Sequence, residues 1–569
     1  MRRTIGPFAV GLVTLAASTV GHATPTFHID TTNVGRAVPR EMYGGNVEFI
    51  GANSPTMQRV LTGMPFARFP GGDDGSRFLW SDTSVGTCSE PKWNWDAIAT
   101  FAASHDMSLL LESNVVRGDA ASTAAWVRDA ISRGIRVPYV DVGNEVWGSW
   151  DAGYRTPAQY SVDVHATAAA VRAVSPTTRI VLEIGTFNEE SWNREAIHLT
   201  ADVIDAVDFH YYPNHLSTPD ALSVAAGSEN IAPLMTRIRA MIHDEAPARA
   251  DSIQIIVGEY DGAQDPPSGG SLTAGHAYLQ WSMPNALFYG SAIGEMLNAG
   301  VSAATYYELQ GYRFGAVNGG ACSSYDVAIR RPKELALELY RDHFGDRLLT
   351  VDATGVPTYQ TSGPTNWDGF AGPAPYVRSY ASLGAADDSL RLVIVNRDPD
   401  NSRTTQWQID GFDPATAASA WQVAGDSMLA TNENVGGAPD AVHITSDTVS
   451  IAGPSFTFEA PAHSVTALVI PRRAAVTPPS PVDASTIVDA GGTTTHAPDA
   501  TVAPDTRDAS SADVTISDAS HRADTDAPIA SQSGSSGCTT MPGRSRSGTL
   551  LAFAALLGYA ASRKRERTV

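Results

Sequence analysis

The feature that most restricts this chain is an alternation. Beginning near residue 44, short apolar runs with the period-two character of buried strands take turns with longer runs of helical periodicity. The expected strands are residues 44–49, 66–69, 108–112, 138–142, 179–183, 206–210, 253–258 and 303–308. Helical stretches are expected between them at 54–61, 94–105, 121–133, 157–174, 190–205, 231–244 and 275–299, and 332–344 follows the last strand, opening on a proline suited to a first helical turn. Eight such pairs over about 300 residues predict a (β/α)8 TIM barrel. An open doubly wound sheet would carry a glycine-rich dinucleotide or phosphate loop after its first strand, and neither GxGxxG nor a Walker A pattern is present.

At 569 residues the chain exceeds what one core fills. From about residue 349 the rhythm becomes short alternating segments at 376–383, 389–396, 404–409, 420–424, 441–446, 456–459 and 464–470, which read as an antiparallel β-sandwich. The expected division is therefore 1–23 signal peptide, 24–345 barrel, 346–471 sandwich, 472–537 spacer and 538–569 anchor or sorting segment, with a strand at 26–30 that could join the sandwich. The signal peptide follows from Arg2 and Arg3, an apolar run, and small residues Gly21 and Ala23. The spacer carries nine Asp and two Arg between Pro481 and Gly537 with no aromatic residue, a composition that cannot bury enough surface to order itself. Beyond Cys538 an apolar run of fourteen residues ends in Arg563, Lys564, Arg565 and Arg567, short of the roughly 20 residues a spanning helix needs but suited to a stop-transfer or sorting signal. That tail resembles the C-terminal sorting tails of myxobacterial surface proteins, which implies export to the cell surface or outer membrane, or secretion after processing, with the tail engaging membrane or sorting machinery. A formal charge of −22, from 39 basic and 61 acidic residues, disfavours nucleic acid as a partner.

A barrel carries its working groups at the carboxyl ends of its strands. Those ends supply Glu48, Arg68, Asn114, Asn144 with Glu145, His210 with Tyr211 and Tyr212, Glu259 with Tyr260, and Tyr307 with Glu308 and Gln310. Carboxylates, amides and phenols at that density fit a ligand made mostly of hydroxyls. Cleaving a glycosidic bond needs one carboxylic acid to protonate the departing oxygen and a second carboxylate to attack the anomeric carbon or direct water at it. Glu145 after the fourth strand and Glu259 after the seventh lie across the barrel from each other, so they form the natural pair.

The motifs GGNVE (Gly44 to Glu48), RFPGG (Arg68 to Gly72), GNE (Gly143 to Glu145) and HYYP (His210 to Pro213), with a closing PAHSVTALVI, resemble those of the α-L-arabinofuranosidases, within a clan of retaining glycoside hydrolases built on this barrel. The resemblance implies Glu145 as acid/base and Glu259 as nucleophile. It also implies that Asn144 and Glu48 hold sugar hydroxyls, and that Tyr211 or His210 sits beside Glu259. An ionised Glu259 would then keep Glu145 protonated. The context departs from the family at GEYDG, at VWGSW after Glu145 and at DDGSRFLW after Gly72, so β-glucuronidase, β-xylosidase and endo-glucanase specificities stand as alternatives on the same carboxylates, and a non-catalytic carbohydrate-binding surface protein as a further one.

Other roles fit several of these residues. Arg68 either contacts substrate or pairs with a carboxylate beneath the site. His210 serves equally as a structural histidine, and Trp147 as a packing residue rather than a sugar platform. Only one of Tyr306 and Tyr307 can face the pocket. No His and Asp spacing suggests a metal, no cofactor is expected, and Cys88 and Cys322, in the loops after the second and eighth strands, can form a disulfide or remain free thiols.

Overall fold

The computed structural model describes residues 24–47, 55–82, 94–214, 220–263, 279–311, 314–318, 329–362, 369–433 and 441–474. The signal peptide, Glu48, Cys88, Cys322, the spacer and the terminal apolar run lie outside the described residues.

Eight parallel strands close into a barrel in sequence order: Gly44–Asn46, Phe66–Phe69, Ser108–Ser113, Tyr139–Val142, Arg179–Ile184, Ala206–Tyr211, Gln254–Tyr260 and Ala303–Tyr306, the last pairing back onto the first. Helices alternate with them as the periodicity predicts, at Pro55–Gly63, Trp95–Ser104, Ala120–Ser132, Pro157–Val174, Glu190–Thr200, Ile231–Glu245, Met283–Asn298 and Pro332–His343. Local chemistry starts several of them. Asn94 and Asp119 accept from backbone N–H groups three residues on, and Thr156 with Gln159 closes a capping box ahead of Pro157.

Period-two alternation sorts the barrel interior into rings. Phe66, Leu110, Tyr139, Val181, Ala206, Ile256 and Ala303 form one apolar cluster of their own. Two residues further along the same strands come Arg68, Glu112, Asp141, Glu183, Asp208, Gly258 and Thr305, and their polar groups meet across the barrel. Outward-facing residues such as Leu109, Leu111, Ile180 and Leu182 join the helix layer in the main core.

The second half is a two-sheet sandwich. Its larger sheet has the order His443–Ser450, Ala417–Ala424, Ser464–Pro471, Ser389–Asn396, Val377–Leu383, Arg347–Leu349 and Val34–Ala37. The smaller runs Asp352–Thr354, Thr26–Asp30, Arg403–Asp410 and Ser455–Ala460. The early strand thus lies in the sandwich, and it departs from the expected antiparallel pattern. Thr26–Asp30 runs parallel to Arg403–Asp410, which is allowed because the whole barrel separates the two in sequence and no tight hairpin joins them. Both faces of the larger sheet are buried: Leu390, Leu392 and Ile394 meet the smaller sheet, while Val393 and Val395 pack on barrel helices. At that contact Gly290 and Gly294 let the sheet approach, since a Cβ at Gly294 would stand 2.2 Å from the Tyr380 ring. Among the described residues no helix is long and apolar enough to cross a membrane.

Candidate active site

The fourth strand ends at Val142, and the turn that follows is left-handed at two of three positions, Gly143 at φ 91° and Glu145 at φ 41°. Glycine takes that conformation freely, whereas a glutamate there costs about 1 to 2 kcal/mol. The turn leaves the Glu145 side chain 22% exposed, open to a ligand, while Asn144 beside it is buried.

Glu259 reaches the same place by a different device. Strict alternation from Ile256 would turn Gly258 and Tyr260 inward and Glu259 outward. Pairing with the sixth strand instead shifts register between Asp208–Ile256 and His210–Glu259, so the seventh strand carries one extra residue. This bulge re-aims Glu259 into the barrel and leaves Tyr260 outside, against the Tyr289 ring at 5.1 Å between centroids. Gly258 makes it feasible: its N–H donates to Asp208, its carbonyl accepts from Asn46 Nδ2 at 2.8 Å and from the Thr305 hydroxyl, and a Cβ would stand 2.0 Å from Asp208 Oδ2.

Both carboxylates meet one imidazole. His210 Nδ1 is 3.0 Å from Glu145 Oε1 and 3.6 Å from Glu259 Oε2, so those oxygens are no farther apart than the two legs laid end to end. Glu259 is further held by Arg68 Nη1 at 2.9 Å and by the Tyr212 hydroxyl, which donates at 2.7 Å. The fully buried Arg68 guanidinium also donates to Asn46, Asn144 and Asp141 and lies 3.1 Å from Glu112. Two cations, Arg68 and His210, thus face six carboxyl groups: Glu112, Asp141, Glu145, Glu183, Asp208 and Glu259.

That surplus cannot be fully ionised. Burial pushes the Glu112 and Glu183 carboxyls well above the usual carboxylate range and Asp141 up to about 8, more than Arg68 and His210 offset. Burial is the largest influence on Glu145 and Asp208 and opposes their ionisation, but the hydrogen bond to His210 together with the charges of His210 and Arg68 outweighs it, and both are lowered. Burial works against charge on His210 as well, yet the surrounding carboxylates, Glu259 and Glu183 foremost, raise it well above 6.5. The sequence led us to expect a Glu145 kept protonated by its ionised partner. In the structure the hydrogen bond and charge of His210 at 3.0 Å work the other way and lower the Glu145 carboxyl, so the two share a proton across this contact.

Of the residues singled out from sequence, Arg68, Asn144, Glu145, His210 and Glu259 come together in this cluster. Tyr307 is half-buried and forms an aromatic wall with Tyr212 and Phe314 at centroid distances of 5.3 to 6.4 Å. Tyr306 faces the other way, its hydroxyl on Met64. Tyr211 is not brought to the cluster: as the alternate of His210 it points into the helix layer, donating to Gly227 O at 2.5 Å and stacking on Phe288. Asn114 braces its own loop, donating to Phe78 O and accepting from Val116 and Arg117 N–H. Trp147 is buried against Gly185, whereas Trp150, 4.8 Å away edge to face and 68% exposed, supplies the open ring at the rim. Sequence reading missed Tyr212 as a Glu259 partner and the whole acidic ring of Glu112, Asp141, Glu183 and Asp208. The signal was present as an apolar-x-acid repeat in four successive strands, Leu110-x-Glu112, Tyr139-x-Asp141, Val181-x-Glu183 and Ala206-x-Asp208.

Among the described residues, Glu145, Glu183 and His210 are the group whose ligand atoms come close enough to consider for a metal, all within 4.8 Å of one another.

No family model matches the chain, and no curated protein matches it. Solved structures do. The GH51 α-L-arabinofuranosidase of Thermotoga petrophila RKU-1 superposes with a TM-score of 0.66 at 17% identity, over 78% of this chain and 100% of that one. A GH51 arabinofuranosidase from Xanthomonas axonopodis pv. citri gives 0.64 at 16% identity, over 79% and 99%. A Paenibacillus polymyxa xyloglucanase of glycoside hydrolase family 44 gives 0.57 at 12% identity, over 79% and 99%. At such identities it is the fold that is shared: this chain has the barrel-and-sandwich architecture of these glycoside hydrolases.

Proposed function

We propose that the protein is a retaining glycoside hydrolase working by double displacement, with Glu259 as nucleophile and Glu145 as acid/base, and that its substrate is an α-L-arabinofuranoside of a plant-type polysaccharide or oligosaccharide. The observation that carries the chemistry is the shared imidazole: it brings two carboxylates close together at the mouth of a closed barrel. Retaining pairs are about 5 to 5.5 Å apart and inverting pairs about 6.5 to 9.5 Å, and the upper limit that His210 sets on the Oε1–Oε2 distance accommodates the retaining separation. Glu259, gripped by Arg68 and Tyr212, attacks the anomeric carbon as the glycosidic bond breaks. The leaving oxygen takes a proton through Glu145, which shares it with His210 Nδ1 at 3.0 Å. Glu145 then accepts a proton from the water that releases the sugar.

The sugar is argued from the resemblance of the motifs and from structural neighbours that include arabinofuranosidases. β-Xylosidase and endo-glucanase specificities use the same pair. A glucuronide fits less well, because the Arg68 guanidinium at the cluster is fully buried and already engaged by carboxylates. Export with a C-terminal tail that engages membrane or sorting machinery remains our proposal for where the enzyme acts. Screening aryl glycosides with the wild type, Glu145→Ala and Glu259→Ala, while following the anomer first released by proton NMR, tests the reading. Turnover with retained configuration that both variants abolish is expected; full activity in either variant, or an inverted product, overturns it.

A further inference from the structure

We propose that Glu183 is a positioning residue for the acid/base: its buried carboxyl grips the backbone of the left-handed turn that aims Glu145 at the substrate. The proposal rests on the reading of Glu145 as proton donor. Glu183 sits at the inward position of the fifth strand, fully buried, and its Oε1 accepts the Glu145 backbone N–H at 2.7 Å. That contact falls on the one residue of the turn whose φ, at 41°, disfavours a side chain. The Glu145 side chain is separately held by His210, so main chain and carboxylate are fixed from two different strands. Glu183 is itself enclosed by polar groups. Its backbone N–H donates to the Tyr160 hydroxyl at 3.1 Å, its Oε1 lies 3.8 Å from His210 Nε2, and its Oε2 lies 3.9 Å from Arg68 Nη2. Without the acceptor, the turn is free to relax toward an ordinary backbone conformation and carry Glu145 out of line.

The test compares Glu183→Gln, which keeps an acceptor oxygen in place, with Glu183→Ala, which does not. The readout is kcat/KM, which reports the first covalent step, on two aryl arabinofuranosides, or aryl glycosides of whichever sugar the screen identifies. One has a dinitrophenolate leaving group that departs without a proton, the other an unactivated phenolate. Misplacing a catalytic group by about 1 Å costs about 10²-fold. Glu183→Ala is therefore expected to lose about that much on the phenolate and less than about fivefold on the dinitrophenolate, while Glu183→Gln stays within about threefold on both. Should Glu183→Ala fail to fold, Glu183→Met, which keeps the bulk without the acceptor, carries the same comparison. Equal losses on both substrates, or a Gln variant as poor as Ala, overturn the proposal. Glu145→Ala run alongside separates the two claims: if it shows no leaving-group dependence, the assignment of Glu145 has failed rather than that of Glu183.

Discussion

Two rings of side chains stand two residues apart on the same barrel strands, and they are built on opposite principles. The lower ring, Phe66, Leu110, Tyr139, Val181, Ala206, Ile256 and Ala303, is filled by volume alone. Immediately above it Arg68, Glu112, Asp141, Glu183 and Asp208 are as deeply buried but charged or acidic, with one guanidinium serving most of the carboxyls. Apolar packing is non-directional and tolerates repacking, whereas a buried ion is tolerated only while its partners are in place. One backbone thus supports a ring that supplies stability and a ring that holds the groups proposed to react.

Breaking that contrast at the point of reaction should have the largest effect. Glu259→Ala is expected to lower kcat by on the order of 10³-fold or more while shifting the melting temperature little, measured by steady-state kinetics beside calorimetry. Next comes the pair Arg68→Met and Leu110→Ala. Removing Arg68 strands several buried carboxyls, so a loss of about 3 to 5 kcal/mol in stability is expected together with loss of activity. Truncating Leu110 leaves a cavity and costs a similar amount, about 2 to 5 kcal/mol by denaturant unfolding, yet activity per folded molecule should survive. If Leu110→Ala abolishes activity in the folded fraction, the two rings are not separable.

The strand and helix alternation made the barrel legible because each element announces its own period. The pair Glu145 and Glu259 was legible because strand ends are short and chemically distinctive. Glu259 nevertheless faces the site only through a one-residue bulge, and nothing in IIVGEYDG declares that shift; it takes Asp208, Asn46 and Thr305 on neighbouring strands to hold Gly258. Between Tyr211 and His210, both offered as neighbours of Glu259, plain strand alternation decides for His210. His210 touches Glu145 and Tyr212 touches Glu259, and the residue between them necessarily faces the helices. The charge state of Glu145 was beyond the sequence because it depends on how near an imidazolium sits. The acidic ring, in contrast, was readable by carrying each strand's inward parity two residues further.

The acidic ring also predicts how stability should follow pH. Asp141 holds its proton up to about 8 in the fold against an ordinary value of 3.8. Its contribution to stability is therefore fully present below about 4 and is lost as pH rises through about 8, because the unfolded chain has released the proton by then and the folded chain has not. Asn has no proton to release. Melting temperatures of Asp141→Asn and wild type, followed from about pH 4 to pH 9, should diverge in favour of the variant as pH rises, then run parallel above about 8. Raised Glu112, Glu183 and His210 act in the same direction, so the variant keeps a reduced downward slope. A gap that stays constant across the range would mean that Asp141 is ionised in the fold.

Tyr212→Phe probes the boundary between positioning and packing with the smallest change. The substitution removes the hydroxyl that donates to Glu259 Oε2 at 2.7 Å and keeps the ring that packs against Tyr307 and Phe314. Arg68 still grips the other oxygen of Glu259, so the carboxylate loses one of its two direct donors and not its place. A net hydrogen bond of about 1 kcal/mol translates to roughly a fivefold fall in kcat/KM, with the melting temperature changed little. A loss as large as that of Glu259→Ala would instead show that the phenol takes part in the chemistry. No loss at all would show that Arg68 alone sets the orientation of Glu259, which would place the whole burden of the acidic ring on its one guanidinium.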